Sequence, residues 1–261
     1  MPHAVFSLLF PDDCRLCAVP LTNWTPAPVC QECLDGLEPL APQAQCGRCG
    51  VPFGNEAPLH GTPLCALCRR GATPFEWARG FGAYEGHLRQ LIHLLKYAGM
   101  EPLAKPLGRR LASLLADAGP VDLIVPVPLH WWRRWRRGFN QSELLAAEVS
   151  RFTGTPLGAR VLRRRRNTAS QTGLTSHQRR LNVRGAFVVR QPEAVAGKTI
   201  VLVDDVITTG ATVGACTRAL RRAGAARVLV LSLARARRRY QDLPATAAPP
   251  PPKTLEAACR A

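Results

Sequence analysis

Twelve consecutive residues, VLVDDVITTGAT (201–212), combine the side chains needed to hold a sugar phosphate. An apolar run that reads as a buried strand ends in two acids, Asp204 and Asp205. A turn of small residues follows, Thr208, Thr209, Gly210, Ala211 and Thr212, and the spacing predicts a helix over 212–223 that stops at Gly224. The first amides of a helix have no internal partner and the macrodipole is positive there, so a phosphate fits that end. Gly210 lets the backbone approach the anion, and the threonine hydroxyls add donors. The carboxylates repel a phosphate but accept hydrogen bonds from vicinal sugar hydroxyls. One ribose and one phosphate at a fixed separation is the ligand this order of residues reads. The bland alternative is a threonine-capped helix behind two solvated acids; a lone TTG carries no more than that, whereas the ordered combination is far more specific.

Eight of the ten cysteines fall in the first 68 residues as Cys14/Cys17, Cys30/Cys33, Cys46/Cys49 and Cys65/Cys68, each pair C-x2-C. Paired cysteines in an intracellular chain more often bind metal than form disulfides. Gaps of 12 and 15 residues between successive pairs suit four-cysteine ribbons. Eight thiolates supply two structural Zn2+ ions. Sequential pairing is the expectation, interleaved pairing stays open, and a redox role for one pair is the remaining alternative. Cys216 and Cys259 stand alone, and Cys216 lies in a helix and reads as packed.

A third constellation, WWRRWRRGF (131–139), interleaves Trp131, Trp132 and Trp135 with four arginines. If exposed, it has the composition of a single-stranded nucleic-acid surface, with rings stacking on bases and guanidinia meeting phosphates. Alternatively the rings pack against the cysteine-rich segment. His93 and His130 read as local hydrogen-bonding residues. The net charge of +17 also points to an anionic partner, although arginine outnumbers lysine so heavily that genome composition contributes to it. No run approaches the ~18 apolar residues of a membrane helix, and the N-terminus lacks a basic start and a cleavage site. No membrane insertion is expected, and the expected compartment is the cytoplasm.

These groups need a scaffold, and hydrophobic periodicity supplies one. Residues 73–87 read as a strand or hairpin, 87–98 and 101–118 as amphipathic helices, VDLIVPVP (121–128) as a buried strand, and 140–152 as a helix with Asn140 at its N-cap. Residues 163–184 are polar, basic and aperiodic and read as a long functional loop. GAFVV (185–189), TIVLVDDV (199–206) and RVLVLSLA (227–234) read as strands. Apolar strands alternating with helices give an α/β fold with a parallel sheet covered on both faces. Residues 1–72 form a double zinc ribbon, residues 73–240 the α/β domain, and 241–261 a disordered Pro/Ala-rich tail.

The segment 201–212 resembles the phosphoribosyl-pyrophosphate signature of the type I phosphoribosyltransferases. With HLLKYAG (93–99), VPVPLHWWRRWRRGFNQS (125–142) and RRRNTASQTGLTSHQRRLNVRGAF (164–187), the chain is similar to the ComF/GntX family: bacterial competence-type proteins with a phosphoribosyltransferase-like domain behind N-terminal zinc ribbons. The resemblance implies that Asp204 and Asp205 hold the ribose hydroxyls and that Thr208, Thr209, Gly210, Ala211 and Thr212 hold the 5′-phosphate. It puts 129–137 in the place of the pyrophosphate loop, with Arg133 and Arg137 as charge partners. Residues 164–182 take the place of a flexible lid carrying Arg164, Arg166, Gln171 and Arg179, and Lys96 is a further phosphate contact. Such chemistry needs Mg2+ and arginines to neutralise departing pyrophosphate, and a lid to exclude water. Two functional readings follow. One is a Mg2+-dependent phosphoribosyltransferase of unassigned acceptor, and the other a non-catalytic sensor of phosphoribosyl pyrophosphate that holds single-stranded DNA during transformation.

Overall fold

The computed structural model describes residues 13–21, 26–53, 63–71, 73–166 and 175–236, with the side chains of Gln43, Arg133, Ser176 and His177 excepted. Gln171 and the tail from 241 lie outside the described residues. In chain order the elements are α1 (Gln31–Asp35), α2 (Ala66–Arg69), β1 (Trp77–Ala83), α3 (Gly86–Tyr97), α4 (Ala104–Ser113), β2 (Leu123–Pro126), α5 (Trp131–Arg137), α6 (Gln141–Thr153), β3 (Leu162–Arg164), α7 (Ser176–Val183), β4 (Phe187–Val189), β5 (Thr199–Ile207), α8 (Ala211–Arg222) and β6 (Arg227–Arg235).

Four strands form one parallel sheet in the order β1-β6-β5-β2. Successive side chains of a strand point to opposite faces, and both faces here are apolar. Ile200, Leu202, Val228 and Val230 pack into one core with Val213, Cys216 and Leu220 of α8. Val201, Val203, Leu229 and Leu231 pack into the other with Leu91, Ile92 and Leu95 of α3, Leu107 and Leu111 of α4, and Leu145 and Val149 of α6. Helices α4 and α6 approach closely at Gly108, where a Cβ would meet the Glu148 Cβ at 2.4 Å. Neither sheet edge is bare. The Ala78 amide of β1 donates to the Arg48 carbonyl (2.8 Å) and the Phe81 carbonyl accepts from Leu40 (2.7 Å), so the cysteine-rich segment covers that edge. At the other edge Gly158 donates to the Ile124 carbonyl of β2 (2.7 Å). Capped edges cannot recruit foreign strands.

The structure corrects several sequence expectations. Residues 163–184 are not one long loop: β3 lies at their start, and α7 forms behind a capping box in which Thr175 and Gln178 satisfy each other's backbone amides. Few apolar positions mark α7, so periodicity did not disclose it. The strand at 187–189 pairs antiparallel with β3 outside the main sheet. Residues 131–137, expected as a loop, are helix α5, capped by the His130 side chain and ended by Gly138 in the left-handed region (φ 82°). Of the two forms open for residues 73–87, the strand is the one found, over Trp77–Ala83. Helix α4 is shorter than expected, stopping at Ser113.

Candidate functional site

The carboxyl ends of β2 and β5 open into a cavity of about 980 Å3. Strand β5 delivers Asp204 and Asp205, 8% and 5% exposed. The Ser142 hydroxyl at the start of α6 donates to Asp204 Oδ1 at 3.1 Å, and the Asp205 amide donates to the same oxygen at 3.0 Å. Asp205 Oδ1 accepts from the Val206 amide at 2.8 Å, and its Oδ2 lies 2.5 Å from Lys96 Nζ at the end of α3. Asn140 accepts from the Ser142 amide (3.2 Å) while its amide group donates to the Val127 carbonyl (3.2 Å), which fixes the start of α6 against the turn after β2.

Burial dominates the charge states. It pushes Asp204 up to about 6, against the pull of Lys96, the Ser142 hydroxyl and Arg164. Burial likewise draws Lys96 down to about 8, opposed by Asp204 and reinforced by the Arg137 guanidinium. Burial also pushes the Cys216 thiol well up, as befits a packed core cysteine.

The turn after β5 is held from several directions. Gly210 sits at the N-cap of α8 with φ 79°, a conformation that favours glycine. Thr209 Oγ1 accepts from the Ala211 amide (3.4 Å). Arg179 of α7 donates to Thr208 Oγ1 at 3.1 Å, so α7 touches the turn directly. The fully buried Arg235 donates to the Ile207 carbonyl (2.7 Å) and to the Thr208 carbonyl from behind.

Lys96, Arg137, Arg164, Arg179, Asp204, Asp205, Thr208 and Thr212 all border the one cavity. Thr209, Gly210 and Ala211 complete the turn between its lining threonines. Arg166 points elsewhere, to the Asn182 carbonyl (3.3 Å), and the Arg133 side chain lies outside the described residues. Arg137 donates to Gln141 Oε1 (3.1 Å) and lies 5.0 Å over the Tyr97 ring. Ser142, Gln141 and Arg235 were not singled out from sequence. The first two sit in the quoted FNQS segment, whereas Arg235 is one basic residue among many and left no signal.

A second cavity of about 540 Å3 shares Pro128, Leu129 and Arg164 with the first. Its walls include Arg134, Arg160, Arg163 and Arg190, and its carboxylate, Glu143, is paired with Arg134 at 2.8 Å. Trp131 stands at its rim. Trp131, Trp132 and Trp135 are 65%, 47% and 73% exposed, and Trp132 stacks on Trp135 at 5.3 Å. At these exposures the rings face outward and are not packed into the described cysteine-rich residues. His130 caps α5, and the His93 ring lies 3.0 Å from the Tyr84 hydroxyl, so both serve local hydrogen bonds.

The eight N-terminal cysteines gather sequentially. Cys14, Cys17, Cys30 and Cys33 form one group and Cys46, Cys49, Cys65 and Cys68 the other, the sulfurs of each within 4.8 Å of one another. A tetrahedral zinc about 2.3 Å from four sulfurs puts neighbouring sulfurs ~3.8 Å apart. Cys17–Cys30 and Cys49–Cys65 are both 3.7 Å apart, so the donor set fits that ion. The groups repeat one knuckle: Cys14 and Cys46 each donate to a valine carbonyl five residues on, at 2.9 Å, and Cys30 and Cys65 each donate to the first sulfur at 3.3 Å. Behind this lies a sequence repeat, CRLCAVP (14–20) and CGRCGVP (46–52), which counting the cysteine pairs alone does not reveal.

A parallel sheet with paired acids and a small-residue turn at its strand ends is the arrangement of a phosphoribosyltransferase-type fold, and the model of the phosphoribosyl transferase domain matches residues 138–247. The DNA utilization protein YhgH of Salmonella typhi is 36% identical over 236 residues, 87% of this chain and 99% of that protein. YhgH of Escherichia coli K12 is 35% identical over the same shares. Competence protein F of Haemophilus influenzae is 32% identical over 73% of this chain and 84% of its own length. The chain belongs to the ComF/GntX family, to which its cysteine clusters and sheet domain had pointed.

Proposed function

We propose that this protein binds phosphoribosyl pyrophosphate with Mg2+ and transfers the ribosyl phosphate to a nucleophilic acceptor in a DNA-handling setting. The observation that carries the reading is the juxtaposition of the buried Asp204/Asp205 pair with the turn 208–212 at the end of β5. In this reading the acids accept the ribose hydroxyls and the turn holds the 5′-phosphate. Arg137, Arg164 and Arg179, all bordering the cavity, face the pyrophosphate. The C1–oxygen bond to pyrophosphate breaks, a bond from C1 to the acceptor forms, and the acceptor's proton leaves. Lys96, 2.5 Å from Asp205 Oδ2, orients that carboxylate. Helix α7, already touching Thr208, is placed to shield the reacting centre from water.

Mg2+ when bound disperses the charge of the leaving group. Hard cations take oxygen ligands, so the carboxylates of Asp204 and Asp205 at the cavity wall would be this chain's donors toward it, Asp205 Oδ2 being shared with Lys96. The cysteine groups hold zinc in this reading, given their sulfur spacing. A screen for pyrophosphate release against bases, amines and nucleotides tests the transfer. Release that depends on one acceptor supports it; binding without release from any acceptor leaves the sensor role.

The exposure of three tryptophans beside an arginine-lined cavity favours single-stranded DNA as a partner. The names of the relatives, DNA utilization protein and competence protein, point the same way.

A further inference from the structure

The two cysteine groups share a knuckle but not a setting. The first rests on α4: Arg110 donates to the Leu34 carbonyl and lies 3.3 Å from the Asp35 carboxylate. The second rests against the sheet edge, and from it a chain of contacts leads to the phosphate turn. Arg235 closes β6 and is 1% exposed. Its Nε donates to the Cys49 carbonyl at 2.9 Å, and its Nη1 donates to the carbonyls of Ile207 and Thr208. One planar guanidinium thus spans a cysteine of the second group, the last residue of β5 and the first residue of the turn.

The neighbouring backbone leaves room for this span. A Cβ on Gly80 would lie 2.9 Å from the Arg235 Cβ, and one on Gly50, beside Cys49, would lie 2.5 Å from the Ala78 carbonyl oxygen. Glycine at both positions lets cluster, edge strand and Arg235 close on one another.

The carbonyls that Arg235 holds decide where the turn's amides point. In a trans peptide the C=O and the following N–H are opposed, and no cis bond occurs among the described residues. Fixing the Ile207 and Thr208 carbonyls on Arg235 therefore turns the Thr208 and Thr209 amides away from it. Thr208 and Thr212 border the cavity, whereas Arg235 lies behind the turn. A zinc held by four thiolates also leaves the cluster negatively charged beside a buried guanidinium, which favours Arg235 in this pose.

We infer that Arg235 is a positioning residue that couples metal occupancy of the Cys46/Cys49/Cys65/Cys68 group to the phosphate turn, and that the Cys14/Cys17/Cys30/Cys33 group lacks this coupling. The inference rests on the reading of residues 208–212 as the phosphate site. Coupling between two sites is reciprocal: if the metal shapes the turn, ligand on the turn retains the metal.

The test uses the full zinc-loaded chain. Chelator and a thiol-alkylating agent are added with and without Mg2+ and phosphoribosyl pyrophosphate, and peptide mass spectrometry follows labelling at Cys17 and Cys30 against Cys49 and Cys65. The ligand is expected to slow labelling at Cys49 and Cys65 by about fivefold or more, the low end of typical coupling, and to leave Cys17 and Cys30 unchanged. Arg235→Met is expected to lose the selective protection while keeping both metals. Should that variant fail to fold, the comparison of the two groups within the unmodified chain decides. Equal slowing at both groups means general stabilisation by ligand and overturns the coupling. Calorimetry on the same sample separates the failures: binding without selective protection overturns this inference alone, and no binding overturns the phosphate reading and this inference with it.

Discussion

Asp204 is the residue where structure and chemistry pull hardest against each other. Its ordinary value of 3.8 rises to about 6 because the carboxylate is buried. A raised value in the fold means that Asp204 adds stability below about 3.8 and that this is lost as pH rises through about 6. Asp204→Asn should therefore narrow the stability gap between acid and neutral pH, by on the order of 3 kcal/mol. Urea unfolding across pH 4–7 checks this, and parallel curves for both proteins would contradict it. Lys96 behaves conversely: its value falls from 10.5 to about 8, so its neutral form is favoured, and stability is lost as pH falls through about 8. Between about 6 and 8 both groups are charged at the fold's expense. That interval is where ligand should bind best, with Lys96→Arg keeping the acid limb of the affinity profile and losing the alkaline one. At the surface, Trp135→Ala should weaken single-stranded DNA binding by about 1–3 kcal/mol without changing its salt dependence. Arg134→Ala should instead flatten the salt slope by ~0.7. Fluorescence anisotropy at several salt concentrations separates the two effects.

At the scale of elements, the repeated cysteine knuckle offers a comparison of the chain with itself. Ala18 adopts φ 57° where the second knuckle has Gly50 at φ 62°. A left-handed residue with a Cβ costs roughly 1–2 kcal/mol, so Ala18→Gly should stabilise the first cluster by about that much, less the entropy glycine adds to the unfolded chain. Slower metal loss from that cluster in the variant is the readout. What was legible at this scale depended on the kind of signal. Buried strands such as 199–207 and 227–235 announce themselves by apolar runs, and the acids and turn of the site by residue type and order. Helix α5 was hidden by its arginines, since no buried face is written in WWRRWRR, and its cap is a histidine rather than one of the common capping residues. Helix α7 was written only in its capping box. Of the small β3–β4 pair, GAFVV was legible as a strand by its apolar residues, whereas β3, Leu162–Arg164 with two arginines in three residues, is too short and too basic for a pattern to register.

Over the whole molecule, the cysteine-rich segment is part of the sheet's architecture as well as the carrier of two four-cysteine groups. It covers the edge of β1, shares the buried core with Phe75 and Val213, and reaches the turn at 208–212 through Arg235. Metal analysis of protein made under reducing conditions should find close to two zinc ions per chain. Chelation should lower the melting temperature of the whole fold in a single transition, because cluster and sheet share one core; a separate early transition would contradict that. No helix among the described residues is long and apolar enough to cross a membrane. The central claim is that the carboxylate pair and the turn together hold an activated ribose phosphate. Isothermal calorimetry of Mg2+ and phosphoribosyl pyrophosphate with the wild type and with Asp204→Asn/Asp205→Asn tests it most directly. Each charge-assisted hydrogen bond to the sugar is worth about 1.5–3 kcal/mol, so the double variant, shown folded by circular dichroism, should lose measurable binding. Unchanged affinity in that folded variant would contradict the account.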